Sequence, residues 1–330
     1  MSSEHDNSSA EDQLIARFFA PLATDPGALG LTDDAAFVKP PPGCDLVLTA
    51  DAIVGGVHFF NDDPPDTIAR KALRVNLSDL AAKGATPLGF LVSLALPEGT
   101  TEAWLADFAK GLRDDAVSFK CPLFGGDTVR TPGPAMVSVS MIGHVPEGMM
   151  VRRAGAKEGD TVFVTGTIGD GALGVQLRNG ASWPLTDEQR EHLLSRYLLP
   201  RPRNALAETV RHYASAAMDV SDGLVGDLAK LLRVSGVAAE IEAAKVPLSE
   251  AARAAVDADP AAFELALTGG DDFEILCTVP PAKVDRFRVA AMAAKVAVTP
   301  IGVIATGAGA RFRDAQGEVL NFKRGSFSHF

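Results

Sequence analysis

Strand-like apolar runs alternate with amphipathic helical runs along almost the whole of this chain, and that alternation narrows the fold more than any other feature. Asp12 to Ala20 reads as a short amphipathic helix, and Leu46 to Asp51 as a strand followed by a loop through Gly55 and Gly56. Asp66 to Lys83 places Ile68, Ala72, Leu73, Leu80 and Ala81 on one helical face and stops at Gly84. Strand-like Leu88–Leu96, helical Thr101–Ser118 and strand-like Pro122–Phe124 and Met136–His144 complete a first unit. The second half runs through a strand at Thr161–Thr165, helices near Asp187–Tyr197 and Arg203–His212, and a strand at Ala216–Val220. A helix at Leu224–Val234, a strand ending near Cys277, a helix after Pro281 and short strands near Ile301 and Arg311 follow. Such mixed alternation implies an α/β class fold of two sandwiches, each a sheet covered by helices. At roughly 150 residues per domain, 330 residues supply about two cores. The expected division is a tail over 1–12, an N-terminal domain over 13–148 and a C-terminal domain over 149–330.

Composition removes several classes of function. The longest apolar run, Leu88–Leu96, ends at Pro97 and falls well short of the roughly 18 residues of a membrane helix. A net charge of −11 disfavours wholesale binding of a nucleic-acid backbone. Three cysteines, Cys44, Cys121 and Cys277, with no CxxC, argue against a disulfide framework or a thiolate zinc site and fit a reducing cytoplasm. The polar start carries no basic-then-apolar signal peptide and reads as a frayed tail.

The chemistry is concentrated in acidic blocks expected mostly where strand-like runs stop: Thr32-Asp33-Asp34, Thr49-Ala50-Asp51, Gly125-Gly126-Asp127-Thr128, Asp219-Val220-Ser221-Asp222-Gly223 and Gly269-Gly270-Asp271-Asp272. Asp79, in Asn76-Leu77-Ser78-Asp79, lies in a helical segment. Ligands of open α/β sheets gather outside strand ends. Single carboxylates on rigid elements suit magnesium, which takes one or two carboxylates, waters and substrate phosphates. The histidines show no zinc spacing. Glycines beside the aspartates let main-chain N–H groups approach a phosphate. Any one Asp-Gly block is ordinary turn chemistry. Several together, at Asp33–Asp34, Asp219–Asp222 and Asp271–Asp272 without a basic partner nearby in sequence, would raise one another's pKa unless cations bridge them.

Other nucleotide motifs fail on their own terms. Gly169, Gly171 and Gly174 form a GxGxxG after a strand, but the region about 20 residues on holds Trp183-Pro184 and a polar helix instead of a strand ending in an acid. No lysine follows a glycine, so a Walker A loop is absent. Asp271-Asp272-Phe273 is not a DFG triplet, and Gly-x-Ser-x-Gly is missing.

Taken in order, Leu29-Gly-Leu-Thr-Asp-Asp34, Leu48-Thr-Ala-Asp51 with Gly56-Val-His58-Phe59, Val75-Asn-Leu-Ser-Asp79, Phe124-Gly-Gly-Asp127, Met218-Asp-Val-Ser-Asp222-Gly and Gly269-Gly-Asp-Asp-Phe-Glu274 closely resemble the thiamine-monophosphate kinases. These belong to the aminoimidazole-ribonucleotide synthetase-like, or PurM-like, ATP-binding superfamily. The resemblance spans nearly the whole chain after the tail. It implies two PurM-like α/β domains, a homodimer through the N-terminal sheets, and transfer of the ATP γ-phosphoryl group to thiamine monophosphate, giving thiamine diphosphate. It implies that Asp34, Thr49, Asp51, Asp79, Asp127, Asp219 and Asp222, with the Ala50 main chain, hold several Mg2+ ions in one cleft. Gly126, Asp127, Arg153 and Ser221 would contact ATP; His58, Asp271 and Phe327 would contact thiamine monophosphate. The chain departs from the family pattern at Thr32 in place of glycine, Ala50 in place of threonine and Asp271 in place of glutamate.

The chemistry agrees with such a residue set. Joining two phosphate-bearing substrates is opposed mainly by electrostatics, so cations and in-line placement carry the reaction, with Arg152 or Arg153 stabilising developing charge. A phosphate oxygen is already deprotonated, so no catalytic histidine or other general base is expected. The other readings are an aminoimidazole-ribonucleotide synthetase-like enzyme and a non-catalytic nucleotide or magnesium sensor.

Overall fold

In a computed structural model of the chain, residues 13–323 and 325–326 are described. The tail expected over 1–12 lies outside them. The chain divides into two compact units, one comprising residues 1–76 and 87–144, the other 77–86 and 145–330.

The first unit is built on a four-stranded sheet of β1 (Cys44–Val54), β2 (Thr86–Pro97), β3 (Leu123–Thr131) and β4 (Met136–Pro146), in the order β1-β4-β2-β3. Two long helices accompany it, α1 (Pro65–Ala82) and α2 (Glu102–Ser118), the latter capped by the Thr101 hydroxyl accepting the Trp104 amide. The helical stripe expected on α1 is broader than its apolar positions alone suggest, because Lys71, Asn76 and Ser78 are buried as well. Gly84 ends the helix as the sequence suggests: its φ is +70°, its amide donates to Ala81, and the Ala85 amide donates to Leu80. That pair of bonds satisfies carbonyls a helix end would otherwise orphan.

Asp115 of α2 is 1 % exposed and accepts from Arg74 Nε at 2.6 Å, Arg74 Nη2 at 2.9 Å and Arg70 Nε at 3.1 Å. Four-residue spacing puts both arginines on one face of α1. Close approach of the two helices is permitted at Gly111, where a Cβ would lie 2.3 Å from the Asp66 carbonyl oxygen.

The second unit carries a six-stranded sheet ordered β10-β7-β9-β5-β8-β6. Its strands are β5 (Thr161–Thr165), β6 (Ala216–Val220), β7 (Ala238–Glu242), β8 (Glu274–Val279), β9 (Val298–Ala305) and β10 (Gly309–Arg313). β10 and β7 are parallel; the remaining pairs are antiparallel. The pleat sorts side chains between two cores. Val162, Val164, Met218, Val220 and Leu276 pack with Leu228, Leu231 and Leu232 of α6 (Leu224–Ser235). Phe163, Ala217, Ile275 and Cys277 pack with Val210 of α5 (Ala207–Tyr213), Phe287 of α9 (Val284–Ala293) and Ala81 and Ala82 of α1. A further cluster joins α3 (Asp170–Arg178), α4 (Asp187–Leu198), α7 (Glu250–Ala258) and α8 (Ala261–Thr268). Among the described residues no helix is long and apolar enough to cross a membrane.

The placement of acidic blocks at strand ends needs correction. Thr49–Asp51 lies inside β1 and Gly125–Thr128 inside β3, whose strand continues past Phe124 to Thr131. Asp219 is one residue from the end of β6, whereas Asp271 and Asp272 precede β8.

Replacing Asp115 with alanine would leave two guanidinium groups facing a buried site without their acceptor. The expected loss is about 3 kcal/mol of stability in equilibrium urea unfolding; a loss below about 0.5 kcal/mol would show that the clamp does not hold α1 to α2.

Candidate active site

Within the first unit, a cleft of about 630 Å³ is lined by Asp33, Asp34, Ser93, Gly126, Asp127 and Thr128 among others, and among the described residues no Lys, Arg or His lines it. Parallel pairing of β2 with β3 sets Val92 opposite Gly126 and Ser93 opposite Asp127. Gly126 is required there because a Cβ would lie 1.8 Å from the Val92 carbonyl oxygen. The exposed Asp127 carboxylate accepts the Thr128 amide at 2.9 Å, and Asp33 accepts the Asp34 amide at 2.8 Å. The loop leading to Asp33 is tightly wound, with φ of 51°, 63° and 57° at Leu29, Gly30 and Leu31. Thr32 closes it, its hydroxyl donating to the Leu29 carbonyl at 2.7 Å. The departure from glycine at this position therefore adds a bond that fixes the turn.

On β1, Thr49 is half-buried while Ala50 and Asp51 are exposed. The Asp51 amide donates to Asn76 Oδ1 at 3.1 Å, and Asn76 Nδ2 donates to the Ala72 carbonyl at 3.0 Å. Buried Asn76 thus pins the strand that carries Asp51 to α1. Sequence reasoning quoted Asn76 without giving it a role; a polar residue within an otherwise buried helical run was the available signal. His58 accepts the Val54 amide on Nδ1 at 3.0 Å, and its carbonyl takes the Lys71 ammonium at 3.0 Å. Its ring is held in the turn after β1 with the Nε2 proton on the other side.

In the second unit, Asp219 alternates with Met218 and Val220, so it shares the sheet face of Ala217. Burial pushes its carboxyl well above the usual range, and neighbouring Asp79 pushes it further, while the Ser78 hydroxyl and Lys83 act against both. Lys83 donates to the Ala217 carbonyl at 2.7 Å. Burial lowers the Lys83 ammonium, Asp219 and Asp79 raise it, and the exposed Arg153 lies close enough to oppose it electrostatically.

The Ser221–Asp222 turn is organised by Asp227, which accepts both of their amides at 2.9 Å. Burial raises the Asp227 carboxyl. Lys230 donates to Asp227 at 2.8 Å and also to Asp222, so the acidic block at 219–222 does have a basic partner, brought eight residues down the chain by α6. Asp227 went unremarked in the sequence because one helical carboxylate carries no motif. Asp271, with φ of 63°, donates its amide to the Ser221 carbonyl at 2.9 Å, which brings the expected ATP and acceptor contacts into adjoining loops. In the first turn of α6, a Cβ on Gly226 would lie 2.3 Å from the Ser326 Cβ, so the chain passes directly over that turn. Phe327, the expected thiamine-packing aromatic, lies outside the described residues.

Asp34 and Asp127 therefore share the first unit's cleft, with Asp51 on β1, whereas Asp79, Asp219 and Asp222 belong to the second unit. Among the described residues no three His, Cys, Asp or Glu side chains cluster as a metal cage. Of the six aspartates expected to hold magnesium, Asp34, Asp51 and Asp127 thus lie in the first unit and Asp79, Asp219 and Asp222 in the second. The donors themselves are oxygen atoms, the set magnesium prefers, and magnesium seldom relies on a dedicated all-protein cage.

Comparison with known proteins bears on both units. Residues 32–145 match the family model of the AIR synthase related protein, N-terminal domain, and residues 157–314 that of the C-terminal domain. A thiamine-monophosphate kinase of Caulobacter vibrioides is 45 % identical over 299 residues, covering 89 % of this chain and 84 % of the relative. A crystal structure of thiamine-monophosphate kinase from Stenotrophomonas maltophilia superposes with a TM-score of 0.81 at 38 % identity, covering 94 % of this chain and 96 % of that one. A ThiL structure complexed with AMPPCP and TMP gives a TM-score of 0.78 at 32 % identity, covering 90 % and 91 %. On these grounds the chain belongs to the thiamine-monophosphate kinase family, with its two AIR synthase related domains.

Proposed function

We propose that this phosphotransferase moves the γ-phosphoryl group of ATP onto the phosphate of thiamine monophosphate, giving ADP and thiamine diphosphate. A phosphate oxygen of thiamine monophosphate forms the new bond to Pγ as the bond from Pγ to the bridging β-oxygen breaks and its electrons leave with ADP. Family membership carries the substrate assignment, and the cleft lined by oxygen donors and the Gly126 main chain carries the site. The relative solved with AMPPCP and TMP supports the same pair of substrates.

The residues divide the work by chemistry. Asp34, Asp51 and Asp127, with Thr49 and the Ala50 main chain, would hold Mg2+ in the first domain; Asp79, Asp219 and Asp222 would do so in the second. Bound magnesium would supply the positive charge that lets two phosphates approach. Gly126, with no side chain, leaves its main chain open to ATP, and Ser221 and Arg153 add contacts from the second domain. Arg152 and Arg153, both exposed, are available to developing negative charge. His58, Asp271 and Phe327 are assigned to thiamine monophosphate, Asp271 reaching less far than a glutamate would. No side chain is needed as a general base, because the acceptor oxygen enters ionised. The ATP-binding half is residues 13–148 and the second domain is residues 149–330.

The wider assignments are a homodimer and a cytoplasmic location. β1 is an edge of its sheet and exposes Leu46 at 42 % and Leu48 at 72 %, a surface that favours covering by a second copy. Burial pushes the Cys121 and Cys277 thiols up to about 12, and both cysteines are free, as suits a reducing compartment.

Purified protein is expected to release ADP from ATP only when both thiamine monophosphate and Mg2+ are present. ADP formed with a purine precursor instead, or binding of ATP without turnover, would overturn the assignment in favour of the synthetase-like or sensor readings. Asp127→Asn should lower kcat by about 100-fold or more, because a metal-bearing carboxylate is lost, yet shift stability by less than about 0.5 kcal/mol because the side chain is exposed. Asp219→Asn should abolish turnover and, without Mg2+, stabilise the protein by about 1 kcal/mol at neutral pH, since the carboxyl it replaces is harder to ionise when buried beside Asp79 than in the unfolded chain. The sign follows from a carboxyl raised on folding: its stabilising effect is present in acid and lost as pH rises through the raised value. Thermal unfolding in EDTA, at pH 7.5 as a working value of about neutral, reads the difference.

A further inference from the structure

The GxGxxG segment, left without a dinucleotide role, opens α3, and each of its glycines is set by a close neighbour. A Cβ at Gly169, where φ is +93°, would lie 2.3 Å from the Ala266 Cβ of α8. At Gly171 it would lie 2.1 Å from the Asp271 carbonyl oxygen, and at Gly174 2.3 Å from the Leu193 carbonyl oxygen of α4. The turn is packed by its own chain. Its amides are also occupied: Gly169 N–H donates to Asp272 Oδ1 and Oδ2, each at 2.9 Å, and Gly171 N–H to Oδ1 at 3.3 Å. Asp272 is 1 % exposed. A helix N-terminus that would suit a phosphate holds the protein's own carboxylate, attracted by the same amides and dipole.

The loop bearing that carboxylate is costly to hold. Gly270, Asp271 and Phe273 have φ of 80°, 63° and 51°, a left-handed region that is strained for the two residues with a Cβ. Main-chain bonds from Asp271 to the Ser221 carbonyl at 2.9 Å and from Phe273 to the Val220 carbonyl at 2.8 Å tie it to the turn after β6. Asp272 supplies the anchor on the other side. Burial raises its carboxyl, and the Gly169 and Gly171 amides act in the opposite sense. Asp170, first residue of α3, is separately satisfied by Thr167 at 2.6 Å, Ser249 at 2.5 Å and His192 at 3.0 Å, so Asp272 does not compete with it for the helix end.

We infer that Asp272 is a positioning residue for the acceptor substrate: its carboxylate plugs the N-terminus of α3 and thereby fixes the Gly269–Phe273 loop, holding Asp271 in register for thiamine monophosphate, while the Ser221 turn keeps its own anchor in Asp227. This rests on the transfer reaction proposed above. Asp272 touches no substrate. It acts through the loop, so its loss should disturb acceptor binding more than the ATP cleft of the first unit.

The test combines steady-state kinetics with amide hydrogen exchange on the full chain carrying Asp272→Asn, which keeps the shape but turns one acceptor into a donor facing the Gly169 or Gly171 amide. KM for thiamine monophosphate should rise by about tenfold or more while KM for ATP stays within about twofold. Exchange should accelerate over residues 269–273 with β5 and the Ser221 and Asp222 amides still protected. Unchanged kinetics and exchange would overturn the inference, as would equal losses for both substrates with protection falling throughout the sheet. Should Asp272→Asn fold poorly, Asp272→Ser at low temperature gives the same comparison with a shorter acceptor. A wild-type chain that makes no ADP with thiamine monophosphate would refute the proposed reaction itself, and the exchange pattern would still show whether Asp272 fixes the Gly269–Phe273 loop.

Discussion

Carboxylates bonded to main-chain amides are the interaction on which the functional loops depend. Asp33 takes the Asp34 amide, Asp127 that of Thr128, Asp227 those of Ser221 and Asp222, and Asp272 those of Gly169 and Gly171. An amide satisfies a carboxylate without neutralising its charge. At the exposed Asp33 and Asp127 the loop is therefore shaped while the negative field remains available to a cation. Ion pairs with lysine or arginine would shape the loops as well but would cancel that field. Lys230 pairs with both Asp222 and Asp227, so the charge of the 219–222 block is already partly balanced.

The two sheets serve that arrangement differently. In the first unit, parallel pairing of β2 with β3 carries the main chain so close at Val92 and Gly126 that only glycine fits, and the same register brings Ser93 level with Asp127 on the cleft. In the second unit, β6 and β8 are buried on both faces, so their side chains enter one core or the other. Asp219 is consequently committed to the face that also receives the end of α1. Its burial is a consequence of strand alternation, and the raised carboxyl follows from the burial.

The regular framework and the motif positions were legible in the sequence because both rest on local rules. β5 and β6 fall on the residues their apolar runs mark, α1 stops at Gly84, and Thr101 caps α2 as a threonine before a helix should. β7, α7 and α8 were not assigned. The stretch from Ala251 to Ala266 is rich in alanine, which packs well in a helical interior yet gives a weak apolar period. The extent of β3 was missed because glycine ordinarily weakens a strand, and only the approach of Val92 shows why Gly126 sits inside this one. Long-range anchors such as Asn76 to Asp51 and Asp272 to Gly169 leave no local trace, since their partners meet only after folding.

The same reasoning explains why a GxGxxG can be present without binding a nucleotide. In a dinucleotide fold the glycines clear space for pyrophosphate and the helix end supplies unsatisfied amides. Here the cleared space is taken by Ala266, the Asp271 carbonyl and Leu193, and the amides by Asp272. β5, which precedes the turn, is flanked by antiparallel β8 and β9, so it lacks the parallel neighbours that make a phosphate crevice at a common strand end. One sequence pattern thus supports opposite uses, and what decides between them is whether the chain returns a carboxylate of its own to the helix end.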